Sequence, residues 1–431
     1  MKRAKNPFFD ESLSVEKRID WLLEAMTLAE SCDTVILALG CNSMVNAKEE
    51  VDRKTICLPP VQETLLDEIA GVNSNTVLVL LSNYPYAIIS AQEKLPAILW
   101  SATGSQEMGT AAAEVLFGLY APAGRLNMTW YRSDDQLPDM DDYDIIQGKR
   151  TYRYFDGDVL YPFGYGLTCT TFDYSDLVVK PVDGTKLQIS FNLANTGDVK
   201  SDEVVQIYGT APVSRVKKPL KQLIGFRRVR NMQPGEQRRI AFEIPISEFR
   251  FYDVISRTMM VEEGLYCISV GASSEDLRRS VSVQIPGRKT GFRYLTERIA
   301  ADHYDAYDNI FLTEGQFGYT SAAVRDPEHM GRLVYRDCIL PESGSLYLHL
   351  KSGEDGTAEI YLNGHKAGEF TGKTGGFTDV RVDLYPEENG ETGQEKAEPV
   401  GNDPADAGRR NPVELEIRIS SHVKLCYFMV K

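Results

Sequence analysis

Two adjacent glutamates occupy a polar loop that follows an apolar run, and their carboxyl groups could transfer protons. The loop reads NAKEEVDR and places Glu49 and Glu50 just ahead of Asp52 and Arg53. A carboxyl group acts as a general acid or base when its surroundings adjust its pKa. A Glu-Glu pair in such a loop is also commonly a solvated pair, and Asp52 with Arg53 could be an ion pair that shapes the loop. From these residues alone both interpretations stay open.

The cysteines and histidines give no comparable signal of a metal or redox site. Seven cysteines are scattered along the chain without a CxxC pair, and there are five dispersed histidines. This pattern favours reduced thiols in an intracellular protein over a disulfide framework or a structural zinc site. We therefore expect no metal and no cofactor.

The net charge of the chain disfavours two classes of binding partner. Among 431 residues, 62 are acidic and 47 are basic, which gives a net charge of −15. Such a chain repels phosphate backbones and anionic lipids, so we expect neither nucleic acid nor a membrane as partner. The N-terminal MKRAKNPFFDESLS has no apolar stretch typical of a secretory signal, and no run approaches the roughly 20 apolar residues of a membrane helix. The sequence thus predicts a cytoplasmic protein.

The predicted secondary structure that would position these residues changes along the chain from mixed helix and strand to strand alone. Apolar residues at helical spacing predict a helix over 12–30 with Ser14 as its N-cap. Continuous apolar runs at 34–39 and 76–81 are typical of strands buried on both faces of a parallel sheet. From about Thr171 the apolar residues alternate with polar ones between turn signals, which predicts two successive β-rich domains.

A cluster of aromatic and basic residues lies between the α/β region and the first β-rich domain. It reads TYRYF and includes Tyr152, Arg153, Tyr154 and Phe155. Aromatic residues with arginine can indicate nucleic-acid binding, but the negative net charge opposes it. We expect this segment to pack between neighbouring domains.

Ordered motifs from about 33 to 285 give the chain a resemblance to glycoside hydrolase family 3. They include EEVDR followed by LPPVQ, GSQEMGTAAAEVLFG, AGRLNMTWY, LYPFGYGLTCTTFDYSDL and NTGDVKSDEVVQIY. The resemblance implies the α/β-sandwich domain of that family over 31–170 and a fibronectin type III-like β-sandwich over 171–286. Residues 1–30 resemble the start of the family's catalytic barrel domain.

The resemblance assigns the acid/base role to the acidic loop but identifies no nucleophile in this sequence. It implies that Glu49 is the acid/base residue of a β-glucosidase or β-xylosidase type of enzyme, with Glu50 as the fallback. The nucleophile of the family belongs to a TIM-type barrel of roughly 200 residues or more, and the sequence passes directly from the barrel-like start into the α/β domain. We therefore expect the nucleophile to be absent.

The last block, 287–431, is similar to family 6 carbohydrate-binding modules. The similarity rests on AADHYDAYDN, FGYTS, IYLNG, TGGFTDV and the terminal VKLCYF. It implies a β jelly roll in which Tyr319 and Phe377 stack on a sugar ring and Lys424 stands at a polar position of the site. Plain core packing of Phe377 is the alternative interpretation.

Together these inferences predict a multidomain protein: an α/β sandwich with a mainly parallel sheet, a fibronectin type III-like β-sandwich and a β jelly roll. Three functions are consistent with it. The chain could be a barrel-less relative of glycosidases that binds an oligo- or polysaccharide and is inactive alone. It could be half of a glycosidase completed by a separate barrel-supplying chain, or a non-enzymatic sugar-binding or scaffolding protein. Whether it is an enzyme stays open at this point.

Overall fold

The computed structural model describes residues 14–41, 53–104, 106–140, 142, 144–211, 213–214, 216–341, 344–384 and 411–431. The chain divides into two compact units that interleave along the sequence. Unit 1 comprises Met1–Val213, Lys218–Glu248 and Gly264–Ile285, and unit 2 comprises Ser214–Lys217, Phe249–Glu263 and Pro286–Lys431. Within the described residues, no helix is both long and apolar enough to cross a bilayer.

Unit 1 begins with an α/β layer. Its elements in chain order are α1 (Val15–Glu30), β1 (Val35–Gly40), α2 (Pro60–Val72), β2 (Thr76–Leu81), α3 (Ile89–Lys94), β3 (Ala97–Ser101), α4 (Met108–Leu116) and α5 (Thr151–Tyr154). The helix α1 starts after the predicted N-cap Ser14, whose side chain accepts a hydrogen bond from the Lys17 amide. Strands β1, β2 and β3 are adjacent and all parallel. The mixed α/β architecture predicted from the apolar runs is therefore confirmed.

The burial predicted for β1 is wrong. Leu39 lies in the core that α2 forms with the sheet, but Ile36 on the opposite face is 52% exposed. Ile36 is exposed because α2 covers only one face of β1. Among the described strands β1 pairs only with β2, so it is an edge strand. An apolar run alone does not reveal how many faces of a strand are covered.

The segment that leaves the α/β layer folds back onto it. The backbone of Trp130 pairs with Tyr161 in an isolated antiparallel bridge, and the Leu126 amide donates to the carbonyl of Tyr165 at 2.8 Å. Trp130 is fully buried and packs edge-on against Trp100 of β3, with ring centroids 5.9 Å apart. Two sequence motifs about 35 residues apart thus form one structural unit with the sheet.

A two-sheet β-structure completes unit 1. Its strands are β4 (Phe172–Val182), β5 (Lys186–Asn195), β6 (Ser201–Thr210), β7 (Gln222–Met232), β8 (Gln237–Pro245), β11 (Gly264–Gly271) and β12 (Leu277–Ile285). One sheet has the order β4-β5-β8 and the other β12-β11-β6-β7. Every second residue of β5 from Leu187 to Leu193 is fully buried, as the alternating sequence predicts.

Unit 2 consists of β-strands. They are β9 (Phe251–Asp253), β10 (Thr258–Met260), β13 (Arg293–Tyr294), β14 (Ile299–Ala300), β15 (Ala306–Asp308), β16 (Ile310–Glu314), β17 (Thr320–Val324), β18 (Gly331–Ile339), β19 (Leu346–Ser352), β20 (Thr357–Leu362), β21 (His365–Thr371), β22 (Thr378–Val382), β23 (Val413–Ile419) and β24 (Val423–Val430). The two larger sheets run β13-β18-β23-β20-β21 and β16-β17-β24-β19-β22. Leucine, isoleucine and valine side chains from both sheets meet in one apolar core.

Candidate functional site

The proposed acid/base residues Glu49 and Glu50, and Asp52 beside them, lie outside the described residues, so their roles stay predictions. The described chain stops at Cys41 and resumes at Arg53, and both ends are held in place. Gly40, at the end of β1, exchanges two 2.9 Å hydrogen bonds with the buried side chain of Gln62 on α2. Gly40 has φ +139°, and a Cβ there would lie 2.0 Å from the Leu81 carbonyl oxygen. The glutamine of the LPPVQ motif therefore fixes the strand end that precedes the acidic loop.

Arg53, where the described chain resumes, packs against two tyrosines and a backbone carbonyl. Its guanidinium lies over the rings of Tyr84 and Tyr86, at 4.9 and 4.7 Å from their centroids, and donates to the Pro85 carbonyl at 3.3 Å. These residues follow β2, at the carboxyl ends of the parallel strands. Polar loops at that edge are where α/β sheets commonly bind ligands. These contacts tie Arg53, the first described residue after the gap, to the segment that follows β2.

A second cluster of polar and aromatic side chains lies on the outer face of one sheet in unit 2. His349 on β19 is directly opposite Tyr427 on β24 and Asp379 on β22. Because neighbouring residues of β19 alternate between faces, Leu348 and Leu350 enter the core while His349 points away from it. His349 is nevertheless buried, since other side chains cover it.

Three parallel rings form a column over this part of the sheet. His349 stacks on Tyr427 with centroids 4.5 Å apart and planes 2° apart, and the Phe377 ring is nearly parallel to His349 with centroids 5.9 Å apart and planes 11° apart. Tyr319 lies against Tyr427 at 5.1 Å, and Phe317 lies 5.8 Å from the His349 ring. Phe317 is 72% exposed, so the cluster presents an aromatic surface to solvent. We call these five residues the aromatic face of unit 2.

Polar groups hold the centre of the aromatic face. Nδ1 of His349 lies 2.8 Å from Asp379 Oδ1, and Nε2 lies 3.0 Å from Gln316 Oε1. Lys431 Nζ donates to the other Asp379 oxygen at 2.8 Å. Partial burial alone would raise the pKa of Asp379, but the hydrogen bonds from Lys431 and His349 outweigh it and hold that pKa below its usual value. Asp379 is therefore a carboxylate at neutral pH and fixes the orientation of the imidazole.

The structure brings two of the three residues predicted for this site onto the same cluster. Tyr319, in the turn before β17, and Phe377, just before β22, both contact the column, and both are half-buried. Lys424 is exposed on β24, opposite Lys351 of β19. The role of these three residues in sugar binding stays a prediction.

Sequence reasoning missed the residues at the centre of the cluster. His349 and Asp379 were not singled out, nor was Tyr427 within the VKLCYF motif. A signal was present in LYLHLKS, where tyrosine, histidine and lysine alternate with leucines and so share the solvent-facing side. What the pattern does not contain is the pairing of β19 with β22 and β24, which places His349 between Asp379 and Tyr427.

The arrangement is suited to binding rather than to bond cleavage. Exposed aromatic rings pack against the apolar face of a sugar ring, while amide, carboxylate and ammonium groups hydrogen-bond to hydroxyl groups. Within the described ranges, no group of three or more histidine, cysteine, aspartate or glutamate side chains could hold a metal ion. The described residues of the aromatic face thus offer a surface for a neutral, polyhydroxylated ligand.

Comparison with known proteins identifies the two halves of unit 1. Residues 9–169 match the model of the glycosyl hydrolase family 3 C-terminal domain, and residues 203–274 match the fibronectin type III-like domain. The chain contains the C-terminal domain of glycosyl hydrolase family 3. The first match includes the α/β layer, with the hydrogen bonds between Gln62 and Gly40 and the packing of Arg53 on Tyr84 and Tyr86. The resemblance inferred from the motifs is therefore confirmed for these two domains.

Curated relatives and solved structures agree with that assignment. The chain is 35% identical over 271 residues to a β-xylosidase of Formosa agariphila, which covers 61% of this chain and 37% of that protein. It is 32% identical over 297 residues to thermostable β-glucosidase B of Acetivibrio thermocellus, over 66% of this chain and 38% of the relative. The crystal structure of a family 3 β-glucosidase from Bifidobacterium adolescentis aligns with a TM-score of 0.60 at 29% identity, over 64% of this chain and 42% of that one. The chain thus spans less than half the length of these relatives.

Proposed function

We propose that this chain is a carbohydrate-binding protein related to family 3 β-glucosidases and β-xylosidases, with negligible glycosidase activity of its own. In this proposal residues 287–431 form a jelly-roll module similar to family 6 carbohydrate-binding modules. The observation that carries it is the aromatic face of unit 2, where Phe377 and Tyr319 flank the buried His349–Tyr427 stack. Its ligand would be an oligo- or polysaccharide.

The proposed lack of activity rests on the absence, among the described residues, of a barrel that could supply a nucleophile to act with Glu49. Retaining hydrolysis needs a nucleophilic carboxylate beside the acid/base residue. The family resemblance assigns that nucleophile to an eight-stranded barrel, whereas the described residues contain one three-stranded parallel sheet, β1 to β3. A lone general acid accelerates a reaction by about 10²–10⁴-fold, far below the roughly 10⁶-fold or more of a working enzyme.

We expect the purified chain to release no p-nitrophenol from aryl β-glucoside or β-xyloside above the rate measured for Glu49→Gln. The measurement is a long-incubation absorbance assay in which both proteins are compared at equal concentration. Turnover by the unmodified chain that Glu49→Gln removes would overturn the proposal and assign the catalytic role to Glu49. Glu50→Gln serves as the matched variant, since it changes the neighbouring carboxyl group only.

We expect Phe377→Ala to weaken binding of xylo- or gluco-oligosaccharides by about tenfold or more, because a stacking platform for the sugar ring is removed. Isothermal titration calorimetry measures the dissociation constant. Phe226, an exposed phenylalanine on β7 of unit 1, provides the control through Phe226→Ala. Equal affinity of Phe377→Ala and the unmodified chain would show that the aromatic face is not the binding site.

A second candidate function is supported by exposed apolar side chains in the α/β layer. Ile36 on β1, and Phe117 and Leu119 just after α4, are all largely exposed. Apolar surface of this kind is typical of protein interfaces. If the chain is half of a glycosidase completed in trans, adding the barrel domain of a relative to the assay above should produce turnover that Glu49→Gln abolishes.

A further inference from the structure

Unit 1 contains a cavity of about 300 Å³ that none of the sites above uses. It lies among the residues that follow α5, the Ser274–Glu275 turn after β11, and Thr129. Its size is at the lower end of the range of roughly 300–1,000 Å³ for small-molecule pockets in proteins. It would accommodate one small ligand rather than an extended polymer segment.

Hydrogen bonds fix the walls of this cavity. The Ser274 amide donates to the Phe163 carbonyl at 2.9 Å, and the Leu223 amide of β7 donates to the Tyr152 hydroxyl at 3.2 Å. Lys221 Nζ donates to the Ser274 carbonyl at 2.8 Å. The family 3 C-terminal domain and the fibronectin type III-like domain therefore contribute opposite walls, and both are held within unit 1. A pocket held in this way is formed before a ligand arrives.

Aromatic rings line one part of the cavity. Tyr152 and Phe163 stack with centroids 4.2 Å apart and planes 12° apart, and Phe155 packs edge-on against Tyr131 at 5.1 Å. The TYRYF segment thus packs against the next domain as the sequence predicts, and it also supplies rings to a cavity. Fixed aromatic rings of this kind suit the C–H face of a ring-shaped ligand.

Three exposed carboxylates belong to the lining, and each has a cationic partner. Asp156 pairs with Lys149, Asp158 with Arg132, and Glu275 with Lys221, at 2.7 to 2.8 Å. The carboxylates disfavour an anionic ligand, and their existing partners reduce the attraction for a cationic one. A neutral ligand with several hydroxyl groups could hydrogen-bond to both members of each pair.

Two buried hydroxyl groups in the lining lack partners. Ser274 Oγ and Thr129 Oγ1 have no hydrogen-bond partner among the described residues, although both side chains are more than nine-tenths buried. Most buried hydroxyl groups in proteins are hydrogen-bonded. Both oxygen atoms are almost completely shielded from solvent, so they belong to the wall behind the cavity surface and do not by themselves indicate an occupant.

We propose that this cavity binds a single neutral pyranose unit, as a monosaccharide or the end of a glycoside. Its ring lies against the aromatic lining and its hydroxyl groups bond to the surrounding ion pairs. The choice of a saccharide over another neutral polyol rests on the proposed carbohydrate function, whereas the site itself rests on the contacts of unit 1. This would give the chain a second sugar site, separate from the aromatic face of unit 2.

The test uses methyl β-D-glucopyranoside and methyl β-D-xylopyranoside with the full-length Phe377→Ala protein, so that the aromatic face does not contribute. We expect saturation-transfer NMR to detect binding of these glycosides. Val159→Trp places a large side chain in the cavity and should abolish that binding.

Glu275→Ala changes an exposed residue and should not impair folding. It is expected to weaken binding by about tenfold, since a charged hydrogen-bond acceptor is lost. Glu354→Ala, which breaks the comparable exposed pair with Lys373, is the control and should leave binding unchanged.

Two results would overturn the inference: no methyl glycoside binding to the Phe377→Ala protein, or binding that survives both Val159→Trp and Glu275→Ala. If Phe377→Ala leaves oligosaccharide affinity unchanged while Val159→Trp removes methyl glycoside binding, the unit 2 proposal fails and this one stands. The two proposals therefore succeed or fail separately.

Discussion

Replacing Glu203 by alanine is expected to lower the free energy of unfolding of unit 1 by about 3–5 kcal/mol. Glu203 on β6 accepts hydrogen bonds from Arg125 and from the Tyr174 hydroxyl, each at 2.8 Å. The Arg125 and Glu203 side chains are only 8% and 3% exposed. Without Glu203 the guanidinium keeps its charge but loses its partner in a site with little water. The pair also connects the AGRLNMTWY segment to the β-structure of unit 1.

Tryptophan fluorescence during urea unfolding measures this loss selectively, because the three tryptophans of the chain, Trp21, Trp100 and Trp130, all belong to unit 1. Glu243→Ala, which removes the exposed partner of Lys186, is the control and should change little. Replacing both buried partners, as Arg125→Met with Glu203→Leu, should recover most of the lost stability, since no charge is then left unpaired. Unfolding of Glu203→Ala at the same urea concentration as the unmodified chain would contradict the prediction.

Asp305→Ala is expected to destabilise unit 2 by a similar amount, about 3–5 kcal/mol. The Arg293 guanidinium donates to both Asp305 oxygens and to the carbonyls of Arg336 and His303, and the two paired side chains are 2% and 0% exposed. Asp305 also accepts from the Arg336 amide at 2.7 Å, so one carboxylate bonds to both β13 and β18. Its removal leaves the buried Arg293 cation without its counter-ion and the Arg336 amide without its acceptor.

Hydrogen exchange read by mass spectrometry tests this second prediction, because unit 2 has no tryptophan. Peptides from β18 and β23 should exchange faster in Asp305→Ala under native conditions. Asp383→Ala breaks an exposed pair with Arg381 and provides the matched comparison. Unchanged protection of β18 in Asp305→Ala would mean that Arg293 is satisfied without its carboxylate.

Local features of the fold could be predicted from the sequence, whereas features set by distant pairing could not. The α1 helix and its Ser14 cap, and the alternation of β5, depend on neighbours within a few residues and were predicted correctly. The exposure of Ile36 depends on whether another element covers β1, which its own residues do not encode. The spacing of apolar residues within a segment therefore predicts a helix or strand, but not which other elements cover it.

In the candidate sites, too, contacts between residues distant in sequence could not be predicted. Tyr319 and Phe377 were singled out because the FGYTS and TGGFTDV motifs resemble those of family 6 carbohydrate-binding modules, and their role in sugar binding stays a prediction. Their contacts with His349 and Tyr427 depend on the register of β19 with β24, which brings together residues 78 positions apart. The cavity of unit 1 likewise joins Thr129, Tyr152 and Ser274, and no local pattern links these positions. The acid/base role that the family resemblance assigns to Glu49, with Glu50 as the fallback, stays a prediction.

The interleaving of the two units constrains how this architecture can be rearranged in evolution. The chain leaves unit 1 after Glu248, forms β9 and β10 in unit 2, and returns at Gly264 to complete unit 1 with β11 and β12. The Arg288 backbone then bonds to Val261 and Glu263, closing that excursion onto the next part of unit 2. Recombination at any single point would separate one unit from a segment that it needs. A cut after Ile285 would leave unit 1 whole but would deprive unit 2 of Ser214–Lys217 and Phe249–Glu263, so a gene fragment that encodes only Pro286–Lys431 would lack two segments of its unit.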